Sequence, residues 1–160
     1  MNPTGFDSTV LINFGEVGAL DVLMAATSAP RLITVHVRRE ILRNPTQEEV
    51  AKAVETCDIE VVELAESELA NWAVLTQRLG AGEASTIAAA IHRGWTIALD
   101  DRLGRTLAVA ELGEARVTGT IGLLRLAVER AVLTHDDAQA LLDAMIGAGF
   151  WSNITRISER

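Results

Sequence analysis

Short runs of β-branched and aliphatic residues alternate along this chain with longer segments of helical periodicity. The runs 32–35 and 96–99 have the pattern of buried strands, whereas 59–64 alternates acids with apolar residues and is typical of a less buried strand. A first strand ends at Asp7, and residues 116–118 form a short late strand. Strands that are separated by helices pair in parallel, so the pattern predicts a three-layer α/β/α sandwich around a central parallel sheet.

Capping residues mark where the predicted helices begin. Ser8 and Thr9 are N-cap candidates for a helix that runs to residue 26. Thr46 and Glu49 have the spacing of a capping box and predict a helix through residue 55. The other predicted helices cover 37–43, 67–77, 83–92, 102–112, 121–131 and 134–146, with Gly94 and Gly113 ending two of them.

Composition places the chain among globular proteins. Its 160 residues are 49% hydrophobic and 22% charged, which predicts one domain over residues 1–160. No apolar run approaches the roughly 20 residues that a membrane span needs. The first residues carry no basic region before an apolar stretch, and the lone Cys57 has no partner for an internal disulfide. We therefore expect a soluble, cytoplasmic protein that has no membrane partner.

The charge balance restricts how the chain can bind nucleic acid. Twenty-two acidic residues against fourteen basic ones give a net charge of −8, which argues against nonspecific binding through the overall field. Lys52 is the only lysine, so nearly every basic residue is an arginine. Because the guanidinium group pairs bidentately with phosphate, a local phosphate site remains compatible with the negative total.

Several acids are predicted to meet at one edge of the sheet. Asp7 follows the first strand, and Asp100 and Asp101 follow the strand 96–99. Glu40 lies one helical turn beyond the strand 32–35, and Glu83 begins the helix that leads into the strand 96–99. Ligands of parallel sheets bind beyond the carboxyl ends of the strands. A cluster of ionised carboxylates there needs a cation, and Mg²⁺ or Mn²⁺ suits oxygen ligands.

Each of these acids also has a purely structural interpretation. Asp7, Asp100, Asp101 and Glu83 precede or open helices, where a carboxylate caps free N–H groups and favours the helix dipole. Glu40 lies among arginines and could be a solvated helix residue. Taken jointly, their meeting at one edge favours a site. The three histidines lack metal-ligand spacing, and the chain has no P-loop motif.

Five segments in order resemble the PIN-domain family, the fold of VapC-like toxin ribonucleases, and in particular a subgroup described as nucleic-acid-binding proteins. The resemblance runs from about residue 5 to residue 150, and it is most specific where two of the segments occur together. The segments are DSTVLI (7–12), REIL (39–42), LGAGEA (79–84), LDDRLGR (99–105) and VTGTIG (117–122).

This resemblance implies a metal site, and each position of the family's site has a counterpart in this chain. Asp7 matches the first-strand aspartate of the family, and Thr9 matches the hydroxyl residue two places later. Glu40 matches the glutamate after the second strand, while Glu83 stands where many PIN ribonucleases have aspartate. Asp101 matches the last family aspartate best.

Asp100 remains an alternative to Asp101 as the direct ligand. The resemblance implies hydrolysis of an RNA phosphodiester with Mg²⁺ or Mn²⁺, with Asp7, Glu40, Glu83 and Asp101 as the catalytic set. The candidate ligands of the metal ion are Asp7, Glu83, Asp101 and Asp100. Thr9, Arg102 and Arg105 are the candidate contacts to the substrate.

Two classes of function follow from the resemblance. The first is a toxin endoribonuclease that forms a homodimer and is neutralised by an antitoxin protein. The second is a PIN-like module that keeps its carboxylates but binds nucleic acid or protein without turnover. The complete acid set favours the enzyme, and DNA remains an alternative substrate. Trp72 and Trp151 are candidates for a dimer interface if they are exposed.

Overall fold

The computed structural model describes residues 2–157, and a five-stranded sheet forms its centre. The strands are β1 (Thr4–Phe6), β2 (Arg31–Thr34), β3 (Glu60–Val62), β4 (Thr96–Ala98) and β5 (Val117–Thr118). All neighbouring strands are parallel, in the order β3-β2-β1-β4-β5. The predicted parallel α/β/α sandwich is confirmed. The domain predicted over 1–160 also includes Met1 and residues 158–160, which lie outside the described residues.

Helices precede or follow every strand and cover both faces of the sheet. They are α1 (Ser8–Glu16), α2 (Leu20–Ala26), α3 (Val35–Glu40), α4 (Thr46–Glu55), α5 (Glu66–Leu75), α6 (Ala81–Arg93), α7 (Arg102–Leu112), α8 (Thr120–Glu129) and α9 (His135–Gly147). A 3₁₀ turn at Glu114–Arg116 precedes β5. None of the helices in this part of the chain is long and apolar enough to cross a membrane.

Alternate strand residues point to two separate cores. On β2, Ile33 packs with α1, α2, α8 and α9, whereas Leu32 packs with α6 and α7 on the opposite face. On β4, Ala98 and Ile97 divide in the same way. This period of two, with apolar residues on both sides, is the pattern expected of a sheet buried between helical layers.

The helix predicted to run from Ser8 to residue 26 is interrupted, so that prediction is wrong. Gly18 has φ +67° and separates α1 from α2. A left-handed residue ends a helix, and glycine adopts this conformation without a steric penalty. The predicted N-caps are wrong as well, because Asp7 and not Ser8 or Thr9 caps α1.

The capping box predicted at Thr46 and Glu49 does not form. Helix α4 covers the predicted span Thr46–Glu55, but its N-cap is Pro45. The Thr46 hydroxyl is buried against Gly15 and has no hydrogen-bond partner. A side chain that turns toward α1 in this way cannot reach back along its own helix, and only the tertiary contact reveals this.

The helix predicted over 37–43 lies at Val35–Glu40 instead, because Thr34 caps it from the end of β2 and the chain becomes extended at Ile41. The remaining predicted helices begin and end within two residues of the observed bounds. Helix α7 has the predicted bounds, and Gly94 ends α6 in the left-handed conformation with φ +72°. Thr134 caps α9 by accepting a hydrogen bond from the Asp137 N–H at 3.1 Å. Strand β3 is an edge strand whose Val61 is 37% exposed, which accounts for its alternating acids.

Candidate active site

Asp7 stands directly after β1, at the centre of the carboxyl edge of the sheet. It is only 3% exposed, and its N–H donates to Ala98 O at 3.0 Å. Its Oδ2 accepts hydrogen bonds from the Thr9 hydroxyl at 2.7 Å and the Thr9 N–H at 3.4 Å. Its Oδ1 is buried without a partner. One oxygen therefore caps α1, and the other is free to bind a ligand.

Burial raises the pKa of Asp7 above its usual value. The hydrogen bond from the Thr9 hydroxyl acts against this change, and the nearby Glu40 carboxylate adds to it. Asp7 is therefore a carboxylate whose negative charge is poorly compensated by the surrounding protein.

Glu40 joins three helices at the same edge. It is the last residue of α3, and its Oε2 accepts a hydrogen bond from the Ser8 hydroxyl at 2.7 Å. Its Oε1 accepts one from the Gly82 N–H at 2.8 Å. Because each oxygen has a donor, the Glu40 side chain is held in a fixed position between α1 and α6.

Glu83 lies in the first turn of α6, facing the start of α7. Its Oε1 is buried without a partner, and it lies so close to Gly104 that a Cβ there would overlap with it. Burial, followed by the charges of Asp7, Asp101 and Glu40, raises the pKa of Glu83 to about 7. These interactions show that the structure brings the four predicted catalytic acids together.

The two adjacent aspartates after β4 have different surroundings. Asp101 caps α7 by accepting a hydrogen bond from the Gly104 N–H at 2.8 Å, and its Oδ1 has no donor in the described residues. Asp100 faces the other way. Its Oδ1 accepts from the Thr120 N–H at 2.8 Å, and its Oδ2 accepts from the Thr120 hydroxyl at 2.6 Å and the Asn13 amide at 3.0 Å.

The three predicted substrate contacts differ in whether their side chains already have a hydrogen-bond partner. Thr9 is exposed, but its hydroxyl donates to Asp7. Arg102 is exposed and has no hydrogen bond or ion pair through its side chain in the described residues. The Arg105 Nη1 donates to the backbone oxygen of Leu99 at 3.1 Å. Of the three, Arg102 is the side chain that is free to move toward an anion.

Comparison with known protein families identifies the family of this chain. A family model described as a PIN domain matches residues 5–160. The chain belongs to the PIN-domain family. PIN domains are generally nucleases that act on nucleic acid and usually use divalent metal ions. The chain matches no curated protein and no solved structure.

Four residues that support the acids of this PIN domain were missed as site residues by the sequence analysis. Ser8 and Gly82 donate to Glu40, while Asn13 and Thr120 surround Asp100. Ser8, Gly82 and Thr120 do lie inside the family segments. Asn13 gave a weaker signal, as the one polar residue within the apolar run 10–14.

The donor chemistry of this edge fits a hard divalent cation. Asp7 and Glu83 each present a buried carboxylate oxygen that lacks a partner, and all candidate ligands are oxygens. Buried polar atoms are nearly always hydrogen-bonded, so two such oxygens near each other need an explanation. Within residues 2–157, no three acidic, histidine or cysteine side chains are positioned to hold an ion together.

Proposed function

We propose that this PIN domain is a metal-dependent endoribonuclease that hydrolyses RNA phosphodiester bonds. The observation that carries the proposal is the pair of unpartnered buried oxygens, Asp7 Oδ1 and Glu83 Oε1, inside a cluster of four acids. Like charges at a buried site are costly, and a cation relieves that cost.

Asp7, Glu83 and Asp101 are the residues that would hold Mg²⁺ or Mn²⁺, because each has an oxygen without a donor. Glu40 positions this set through its hydrogen bonds to α1 and α6. Asp100 supports the neighbouring loop and is not a ligand in this proposal. Such an ion supplies Lewis-acid polarisation of the phosphoryl group and a lower pKa for attacking water. Arg102 would contact the substrate phosphate. Thr9 would hold Asp7 in place through its hydroxyl, and Arg105 would hold the chain after β4 through the backbone oxygen of Leu99.

The finer biological role rests on the resemblance to VapC-like toxins. We propose a cytoplasmic toxin that forms a homodimer and is inhibited by an antitoxin protein. A net charge of −8 suits a partner that has a basic segment, which would neutralise the acids as it covers them. Trp151 is 84% exposed and is the candidate contact for the homodimer.

A binding module without turnover is the second candidate function. It is favoured by the complete hydrogen bonding of Glu40 and Asp100, which makes both carboxylates structural parts of the fold. In that case a nucleic acid or a protein partner would bind at the carboxyl edge of the sheet, and no bond would be cleaved.

Cleavage of cellular RNA in Mn²⁺, in excess EDTA and after Asp101→Asn distinguishes the two functions. Asparagine caps helices as well as aspartate does, so α7 remains capped while a ligand charge is lost. Asp136→Asn, at an exposed first-turn position of α9, is the matched control. Cleavage that needs Mn²⁺ and Asp101 supports the enzyme. Cleavage that persists in EDTA and in Asp101→Asn contradicts it, and RNA binding without cleavage supports the module.

A further inference from the structure

The rings of His36 and Trp72 stack on each other beside the acid cluster. Their centroids are 4.8 Å apart, and the ring planes are inclined by 25°. Both side chains are partly exposed. The chain has only three tryptophans, three phenylalanines and no tyrosine, and Phe6, Phe14 and Trp95 are buried in the cores. Trp151 is exposed as well, so the pair is distinguished by the stacking of its two rings and not by exposure alone.

His36 lies on the helix that ends at Glu40, and Trp72, on α5, is hydrogen-bonded to the start of the helix that carries Glu83. The Trp72 Nε1 donates to Ala81 O at 3.2 Å, directly before Gly82 and Glu83. His36 lies on α3 four residues before Glu40, so the two side chains project from the same side of the helix. The stack is thus next to Glu40 and the first turn of α6.

Helix α5, which carries Trp72, is held firmly against α6. Glu68 is 1% exposed and accepts two hydrogen bonds from Arg93, at 2.5 and 2.8 Å. Trp72 also packs against the core that contains Leu32, between the sheet and α6 and α7. This packing accounts for the position of the indole, but it does not require a partly exposed imidazole to lie over it.

Three arginines without a side-chain partner in the described residues lie on α3, which carries His36, or directly after it. Arg38 and Arg39 lie in the last turn of α3, and Arg43 follows it. None of these three side chains has a hydrogen bond or an ion pair in the described part of the chain. In a protein with a net charge of −8, a group of free guanidinium groups beside an aromatic pair combines the two features that bind single strands.

We propose that His36 and Trp72 form a stacking platform for a base of single-stranded RNA, beside the acid cluster. This inference rests on the proposed function and adds the substrate form that the site takes. An unpaired base extends the stack with its free face, whereas duplex bases already have both faces covered. Arg39, three residues after His36 on the same helix, is the candidate contact to a neighbouring phosphate. Because every base has a π face, the platform selects single strands and not a sequence.

Fluorescence anisotropy of a labelled, mixed-sequence single-stranded RNA tests the platform. The measurements use the full chain with Mg²⁺ and the Asp101→Asn substitution in every sample, so that the strand stays intact. His36→Ala should raise the Kd about tenfold, within the range known for loss of one stacked base. His36→Phe keeps a flat ring and should restore binding. His92→Ala is the matched control, since His92 is a partly exposed histidine bonded to Asn71.

An RNA of the same length that has abasic residues separates stacking from charge. If His36→Ala no longer raises the Kd for the abasic RNA, the platform is supported. An equal effect on both strands, no effect of His36→Ala, or no binding of either strand overturns it. Equal binding of single-stranded DNA leaves stacking in place but removes the assignment to RNA. Cleavage by the chain with Asp101 intact is measured separately, so a failed platform with metal-dependent cleavage refutes only this inference. Platform binding without cleavage refutes only the hydrolase.

Discussion

Glu40 and Gly82 are joined by a hydrogen bond of 2.8 Å that links the end of α3 to the start of α6. The contact is so close that a Cβ at Gly82 would lie 2.5 Å from Glu40 Oε2. Gly82 has ordinary helical geometry, and hence the need for glycine comes from this neighbour and not from the backbone conformation. The position of a candidate catalytic carboxylate thus depends on a residue that has no side chain.

Gly82→Ala is expected to displace Glu40 and to lower RNA cleavage at least tenfold. Alanine favours helices by about 1 kcal/mol over glycine, so an unfolding experiment should show only a small net change or a modest loss. Gly80→Ala is the matched control, because nothing lies within 4 Å of a Cβ there. Glu40→Ala in the Gly82→Ala background should recover stability but not cleavage. Full activity of Gly82→Ala would show that the Glu40 position is unimportant.

Mn²⁺ should raise the thermal midpoint of the native chain. An ion at ten times its Kd stabilises by about 1.4 kcal/mol, which is a shift of roughly 3–6 °C for a chain of this size. Asp7→Asn should lose most of this response, because it loses one of the ligand charges. The scan is run in EDTA and in Mn²⁺ for the native chain, Asp7→Asn and Asp136→Asn.

In EDTA, Asp7→Asn should be at least as stable as the native chain, since the substitution removes an uncompensated buried charge and asparagine retains the cap. A simple loss of stability with no metal response in either protein would assign Asp7 to capping alone. Asp136→Asn should behave like the native chain in both conditions.

The metal-free protein should lose stability as the pH rises from about 4.5 to about 7. These limits are the usual pKa of glutamate and the raised pKa of Glu83 in the fold. The folded state binds this proton more tightly than the unfolded state, so stability is greatest below the lower limit and declines through the upper one. After discounting for the partial exposure of Glu83, the change is on the order of 1 kcal/mol.

Urea unfolding in EDTA at pH 5 and pH 8 measures this dependence. Glu83→Gln should flatten it, whereas Glu111→Gln, at an exposed position on α7, should leave it unchanged. A slope that survives in Glu83→Gln would locate the titrating group elsewhere. The prediction applies to the chain in EDTA because a bound cation would keep Glu83 ionised throughout this range.

Asp100→Asn and Asp101→Asn should show opposite effects. Asp100 accepts two hydrogen bonds from Thr120 and one from Asn13, so its replacement should lower the free energy of unfolding by about 1.5–3 kcal/mol. Asp101→Asn should keep the cap of α7 and hence most of the stability, but should abolish cleavage. Denaturant unfolding and RNA cleavage on both variants check this. Loss of cleavage in a fully stable Asp100→Asn variant would reverse the assignment.

The sequence by itself determined the fold of this protein and the edge of the sheet at which its acids meet. Short apolar strands between helices require a parallel sheet, and acids that follow such strands must lie at its carboxyl edge. The family segments predicted which acids form the site, and the PIN-domain match confirms the family. These conclusions depend on local patterns that survive without knowledge of any tertiary contact.

Only the tertiary structure decided what each carboxylate oxygen contacts. The break at Gly18 and the turn of Thr46 toward Gly15 depend on packing between α1, α2 and α4. The separation of Asp100 from Asp101 depends on Thr120, which is 20 residues away from Asp100 along the chain. Hydrogen bonds between distant residues have no periodicity along the sequence. The pattern of hydrophobic and polar residues therefore could not predict them.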